Sequence, residues 1–140
     1  MSASLPALVT EGASGVYRCA PLAHADVPSA AEQIDLRKAR DKAAFLAAFA
    51  GALGFPEHFG HNWDAFYDCL GDIEGGRKVL LLRGASAFAR AEPEVFGAAL
   101  DTLADAVRLW KDAGRSLLVV VELEAPVLAP ELPGISVRPA

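Results

Sequence analysis

Lys78-Val79-Leu80-Leu81-Leu82-Arg83 is the stretch that decides the fold. Four aliphatic residues without alternation, closed at each end by a cation, describe a strand buried on both faces, and such strands belong to parallel sheets covered by helices. Ser116 to Glu122 repeats the pattern further on, while Gln33-Ile34-Asp35-Leu36-Arg37 alternates as a strand does. Helical patterns separate the three. From Asp41 an Ala-rich segment puts Phe45, Leu46, Phe49 and Leu53 on one stripe and closes at Gly54. A second helix starts at Trp63 and ends at Gly71. Pro93 suits the first turn of a third, in which Phe96, Leu100, Leu103, Val107 and Trp110 recur every three or four residues up to Gly114. Strands joined through helices take right-handed crossovers. The expected architecture is therefore α/β, a small three-stranded parallel sheet covered by three to four helices. Residues 1–31 are expected to add an N-terminal arm or edge hairpin with a short strand around Val16-Tyr17-Arg18-Cys19. Residues 125–140, with four prolines, are expected to form a tail packed on the surface.

A chain of 140 residues, 53% hydrophobic, can bury a real core as one domain. Its 18 acidic and 13 basic residues leave a net charge of −5. That balance disfavours direct contact with nucleic acid and favours attraction to a cationic protein. Two cysteines, Cys19 and Cys69, make no disulfide framework and fit a reducing compartment. No basic segment leads into a long apolar one at the N-terminus, and the aliphatic runs are too short to span a bilayer. The expectation is an unexported, cytoplasmic protein without membrane contact, a monomer when free.

Chemistry concentrates in Phe55-Pro56-Glu57-His58-Phe59-Gly60-His61-Asn62-Trp63-Asp64-Ala65-Phe66-Tyr67-Asp68-Cys69-Leu70. Asn62 is a good N-cap. At about 100° per residue, Trp63, Phe66, Cys69 and Leu70 share one side of the helix, and Asp64 and Asp68 lie roughly opposite. Like charges four apart disfavour an isolated helix, and the macrodipole compensates for Asp64 more than for Asp68. Such a face suits a basic partner, with Tyr67 at its border able to anchor a contact. It is equally the pattern of an ordinary solvated face. His58, His61, Asp64 and Asp68 all carry metal-ligand side chains, but the histidines precede the helix and neither a Cys nor a third His joins them nearby. Cys69 turns inward, which disfavours a nucleophile, and Gly71 and Gly75-Gly76 match no phosphate loop. No cofactor, metal or catalytic residue is expected.

The same segment closely resembles the signature of the barstar family, intracellular inhibitors of the secreted ribonuclease barnase. Pro56, Glu57, Gly60, Asn62, Asp64, Ala65, Asp68, Cys69 and Leu70 are as that family has them, and the order of expected elements from Gln33 to Glu122 is similar. The resemblance implies a barstar-like domain over residues 32–124 whose binding face is the acidic helix and the loop before it. It implies that Asp68 occupies the phosphate-binding pocket of a nuclease, that Asp64 pairs with a basic residue at the rim, and that Tyr67, Asn62, Gly60, His58, His61 and Ile73 surround them. Tyr67 and Ile73 stand where the family has contact tryptophans, and His58 where it has a contact tyrosine. His61 stands in place of an acid, and Leu109 in place of the acid on the last long helix. The expected function is inhibition, without catalysis, of a small cationic ribonuclease or nuclease toxin. Protonation of His58 and His61 beside such a partner is expected to weaken binding as pH falls from about 7.5 to 5.5. Two alternatives stand beside it. One is an interaction or regulatory domain without a nuclease target. The other is a small metal-binding protein using His58, His61, Asp64 and Asp68.

Overall fold

Aliphatic side chains in an unbroken row are buried on both sides only when both faces of the sheet are covered, and the row at Leu80 lies in such a sheet. The computed structural model describes residues 3–56 and 62–139. In chain order its elements are α1 (Leu5–Glu11), β1 (Gly15–Cys19), β2 (Ala31–Asp35), α2 (Lys42–Leu53), α3 (Trp63–Asp72), β3 (Arg77–Arg83), α4 (Ser86–Ala91), α5 (Pro93–Asp112) and β4 (Ser116–Glu122). Short 3-10 turns lie at His24–Asp26 and Pro126–Leu128.

The sheet has four strands in the order β1-β4-β3-β2, and every pairing is parallel. The expected count of three is thus corrected to four. Val16 to Cys19, read from sequence as a short strand of an arm, pairs residue by residue with β4, Tyr17 standing opposite Val120. Its partner lies about a hundred residues away, so nothing local announces the pairing. Register Leu80 to Val119 and Gln33 to Leu81 places the two continuous aliphatic strands in the middle.

Alternation divides the sheet between two cores. Leu80, Leu82, Leu117, Val119 and Val121 point with Ile34 into the larger one, packed against α2, α3, α4 and α5. An aromatic cluster fills it: Phe66 meets Phe45 and Phe49 edge-on, with ring centroids 5.7 and 4.8 Å apart, and Phe88 stacks on Phe45 at 5.0 Å. Val79, Leu81, Leu118 and Val120 form the other face with Leu5 and Leu8 of α1, Leu22 and Ile135.

The C-terminal segment runs beside β1. The Arg18 amide donates to the Pro133 carbonyl at 2.9 Å, and the Ile135 amide to the Arg18 carbonyl at 2.9 Å. This occupies an edge that would otherwise present unpaired backbone groups. At the carboxyl end of the sheet Glu122 is buried, accepting from the amides of Leu22 and Gly84 at 2.7 Å each and from Arg83 Nε at 3.2 Å. A buried carboxylate is tolerated there because three donors converge on it.

Candidate protein-binding face

Local chemistry fixes where α3 begins. The Asn62 side chain accepts from the Ala65 amide at 2.7 Å, as an N-cap should. Phe66 and Leu70 are fully buried, and Trp63 packs at the edge of the aromatic cluster with Lys42 Nζ 4.9 Å from its ring centroid. The far end is held by α5 and the turn after it. Trp110, itself buried, donates Nε1–H to the Leu70 carbonyl at 3.0 Å. Arg115 stacks on the Trp110 ring, 3.6 Å from its centroid. Its guanidinium donates to the carbonyls of Gly71, Ile73 and Gly75. That cation lies where the helix leaves carbonyls unpaired and its dipole is negative, and where the acidic sequence of α3 supplies no base of its own. Helices α3 and α5 approach closely at Gly71, where an added Cβ would stand 2.9 Å from Leu109 Cδ2.

Held this way, α3 presents its acids outward. Asp64, Asp68 and Asp72 are exposed, and among the described residues no lysine or arginine forms an ion pair with any of them. Tyr67 is half-buried against the core. On one flank Asp64 and Tyr67 line a groove of about 450 Å³, whose opposite wall is Asp105, Arg108, Leu109 and Asp112 of α5. On the other flank Cys69, Asp72 and Ile73 meet Leu53, Phe55 and Pro56 around a hollow of about 320 Å³. Helical phase puts Asp68 on the ridge between the two. Asp64, Asp68 and Tyr67 therefore share one continuous surface, with Ile73 round the corner. His58, Gly60 and His61 lie outside the described residues. Cys69 is half-buried; burial, then the charges of Asp72 and Asp68, hold its thiol above the usual range.

Of the α5 wall, the sequence reading names Leu109 alone; Asp105, Arg108 and Asp112 are added by the structure. At Leu109 the chain has an apolar side chain that is 38% exposed, yet Asp105 and Asp112 sit one turn before and after it. Asp105 is paired with Arg108. The signal was present in the sequence as acids recurring along the polar side of the helix, but which groove they face depends on how α5 crosses α3. Among the described residues no three His, Cys, Asp or Glu side chains cluster as a metal site would need. No described helix is long and apolar enough to cross a membrane.

Fold and surface together define a small parallel α/β protein that displays an acidic helix, unpaired among the described residues, beside an open groove. Comparison with known families is specific: the family model Barstar (barnase inhibitor) matches residues 30–122, and the chain belongs to that family. Comparison with curated proteins finds no match. Helix α1, strand β1 and the segment after β4 fall outside the matched residues.

Proposed function

We propose that the protein inhibits a small basic ribonuclease by inserting Asp68 into the pocket where the enzyme binds an RNA phosphate. The observation that carries this reading is the pair Asp64 and Asp68, exposed and, among the described residues, without an ion-pair partner, on a helix clamped at both ends. An active site shaped for phosphate holds several cations close together, and a carboxylate already fixed in place satisfies them with little further loss of freedom. Asp64 then pairs with a base at the rim and Tyr67 supplies apolar contact, with Asn62, Gly60, His58, His61 and Ile73 around them. Charge of opposite sign accelerates the encounter and makes it salt-sensitive. Inhibition of this kind needs no cofactor and no chemistry from the chain, and a monomer acting in the cytoplasm suffices.

Titrating the activity of barnase and of other small basic ribonucleases with purified protein tests the idea. Against the nuclease that is inhibited, Asp68→Ala should raise the inhibition constant by at least about 30-fold, the equivalent of about 2 kcal/mol. Glu94→Ala, an exposed acid away from the groove, should stay within about twofold, as rim or remote charges do. Equal losses from the two substitutions would sink the proposal.

A further inference from the structure

We infer that the end of the sheet opposite in sequence to the family match carries a second site, one that binds a small organic anion through Arg18. Among the described residues, Nε of Arg18 is the one buried side-chain nitrogen or oxygen without a hydrogen-bond partner. Neither a side-chain hydrogen bond nor an ion pair engages Arg18 there. A guanidinium carries five N–H donors and keeps its charge, so a group left without any acceptor is costly; Nε is sealed off, and the acceptor this cation lacks can reach it only at the Nη nitrogens.

Around it the structure provides a place for that acceptor. Arg18, Cys19 and Ala20 at the end of β1, Leu123 and Glu124 just beyond β4, and Gly134 to Ser136 of the tail enclose about 340 Å³. This is the lower end of the size range of ligand pockets, and it lies beyond the carboxyl ends of parallel strands, where open α/β sheets bind ligands. The nearby acids are already engaged. Glu124 pairs with Arg90 at 3.0 Å, and Glu122 with Arg83 at 3.2 Å, so Arg18 is the charge left over. Gly134 lets the guanidinium lie where it does, because a Cβ there would stand 2.5 Å from Nη1 of Arg18. Leu123, Pro126 and Ile135 give the pocket an apolar wall. The ligand class that fits is a compact molecule with one carboxylate or phosphate head and an apolar body, the head taken by the guanidinium fork. Arg18 and Gly134 both lie outside the family-matched residues, and the pocket shares no residue with the groove between α3 and α5.

Three probes decide the matter: benzoate, phenyl phosphate and inorganic phosphate, titrated into the full chain while backbone amide resonances are followed. Saturable shifts from benzoate or phenyl phosphate at Cys19, Ala20, Leu123, Glu124 and Gly134 to Ser136 are expected, and which of the two binds more tightly identifies the head group. Arg18→Met should weaken that binding by at least about tenfold, in line with the loss of a charge-assisted pair. Gly134→Ala, which keeps the charge but displaces the guanidinium, should weaken it as well, and Arg18→Lys should fall between wild type and Met. Far-ultraviolet circular dichroism and unchanged amide shifts in β3 and α5 verify that each variant is folded. Absence of saturable binding by all three probes overturns the proposal. So do shifts that survive in folded Arg18→Met, or that map to other arginines. Inorganic phosphate binding as tightly as phenyl phosphate would overturn the role of the apolar wall.

Discussion

Asp68 is available because of what surrounds it: acids at i−4 and i+4, and no described base within ion-pair distance. That much was legible in the sequence, since helical phase alone turns Asp64 and Asp68 away from Phe66 and Leu70. The burial of Glu122 was not, because two of its donors are amides of Leu22 and Gly84 from remote parts of the chain. The cysteines give a residue-scale prediction. Burial, reinforced by the Glu122 charge and opposed by Arg83, pushes the Cys19 thiol up to about 12. The unfolded thiol ionises near about 8.5. A group whose pKa is raised by folding contributes stability that is complete below the unfolded value and is lost as pH rises toward the folded one. Stability should therefore fall between about pH 8.5 and 12 more steeply in wild type than in Cys19→Ala. Denaturant unfolding at a series of alkaline pH values reads the difference, and parallel curves would exclude Cys19 as its source. At pH 8 a thiol reagent should modify half-buried Cys69 on the folded protein and reach Cys19 at the rate of opening.

At the scale of elements, periodicity served well where an element buries a stripe of its own. Helix α5 begins at Pro93 as its sequence predicts, α2 starts after Asp41 and closes at Gly54, and the aliphatic runs of β3 and β4 form the centre of the sheet. Short elements defined by distant neighbours escaped: α1 is one of them, a seven-residue helix capped by Ser4 and drawn from an Ala, Pro and Ser-rich segment. The clamp on α3 belongs to the same category, since Arg115 is 42 residues from Ile73, whose carbonyl it binds. Replacing Arg115 by Ala frees three carbonyls and removes a cation from the negative end of the helix. A loss of about 1–3 kcal/mol in unfolding free energy is expected. Arg115→Lys should recover part of it, restoring the charge without the fork. The same substitution should weaken nuclease inhibition without touching the contact face, because α3 would have to be ordered on binding. A stability change in Arg115→Ala below about 0.5 kcal/mol would mean that Trp110 holds the helix end alone.

On the scale of the whole molecule, the two faces of the sheet have different origins. The face packed on α2 to α5 is built mostly within the family-matched residues, with Leu123 and Ala129 its buried members from beyond them, whereas the other is covered by α1, by Leu22 and by Ile135, which lie outside residues 30–122. Binary patterning of β3 and β4 announced burial on both sides but could not say that the chain's two ends supply the second cover. Those ends are joined to each other. Leu5 and Ser136 share a backbone hydrogen bond of 2.8 Å, and Arg138 Nε donates to Asp26 at 2.9 Å. Hydrogen bonds from Arg138 hold the Asp26 carboxyl below the usual carboxylate range, against a smaller opposing effect of burial. A carboxyl whose pKa is depressed by folding contributes stability that is present above the unfolded value, about 3.9, and disappears as pH falls through the folded one. Arg138→Ala should therefore be less stable than wild type at pH 6, and the gap should close as acid protonates Asp26. Asp35, held low by Arg37 in both proteins, contributes equally and cancels from the comparison. Deleting residues 130–140 removes Ile135 and Val137 as well as the ion pair. This should lower the thermal midpoint by about 4 °C or more and promote concentration-dependent association through the uncovered edge of β1. A truncated chain as stable and monomeric as the full one would show that α1 covers this face of the sheet unaided.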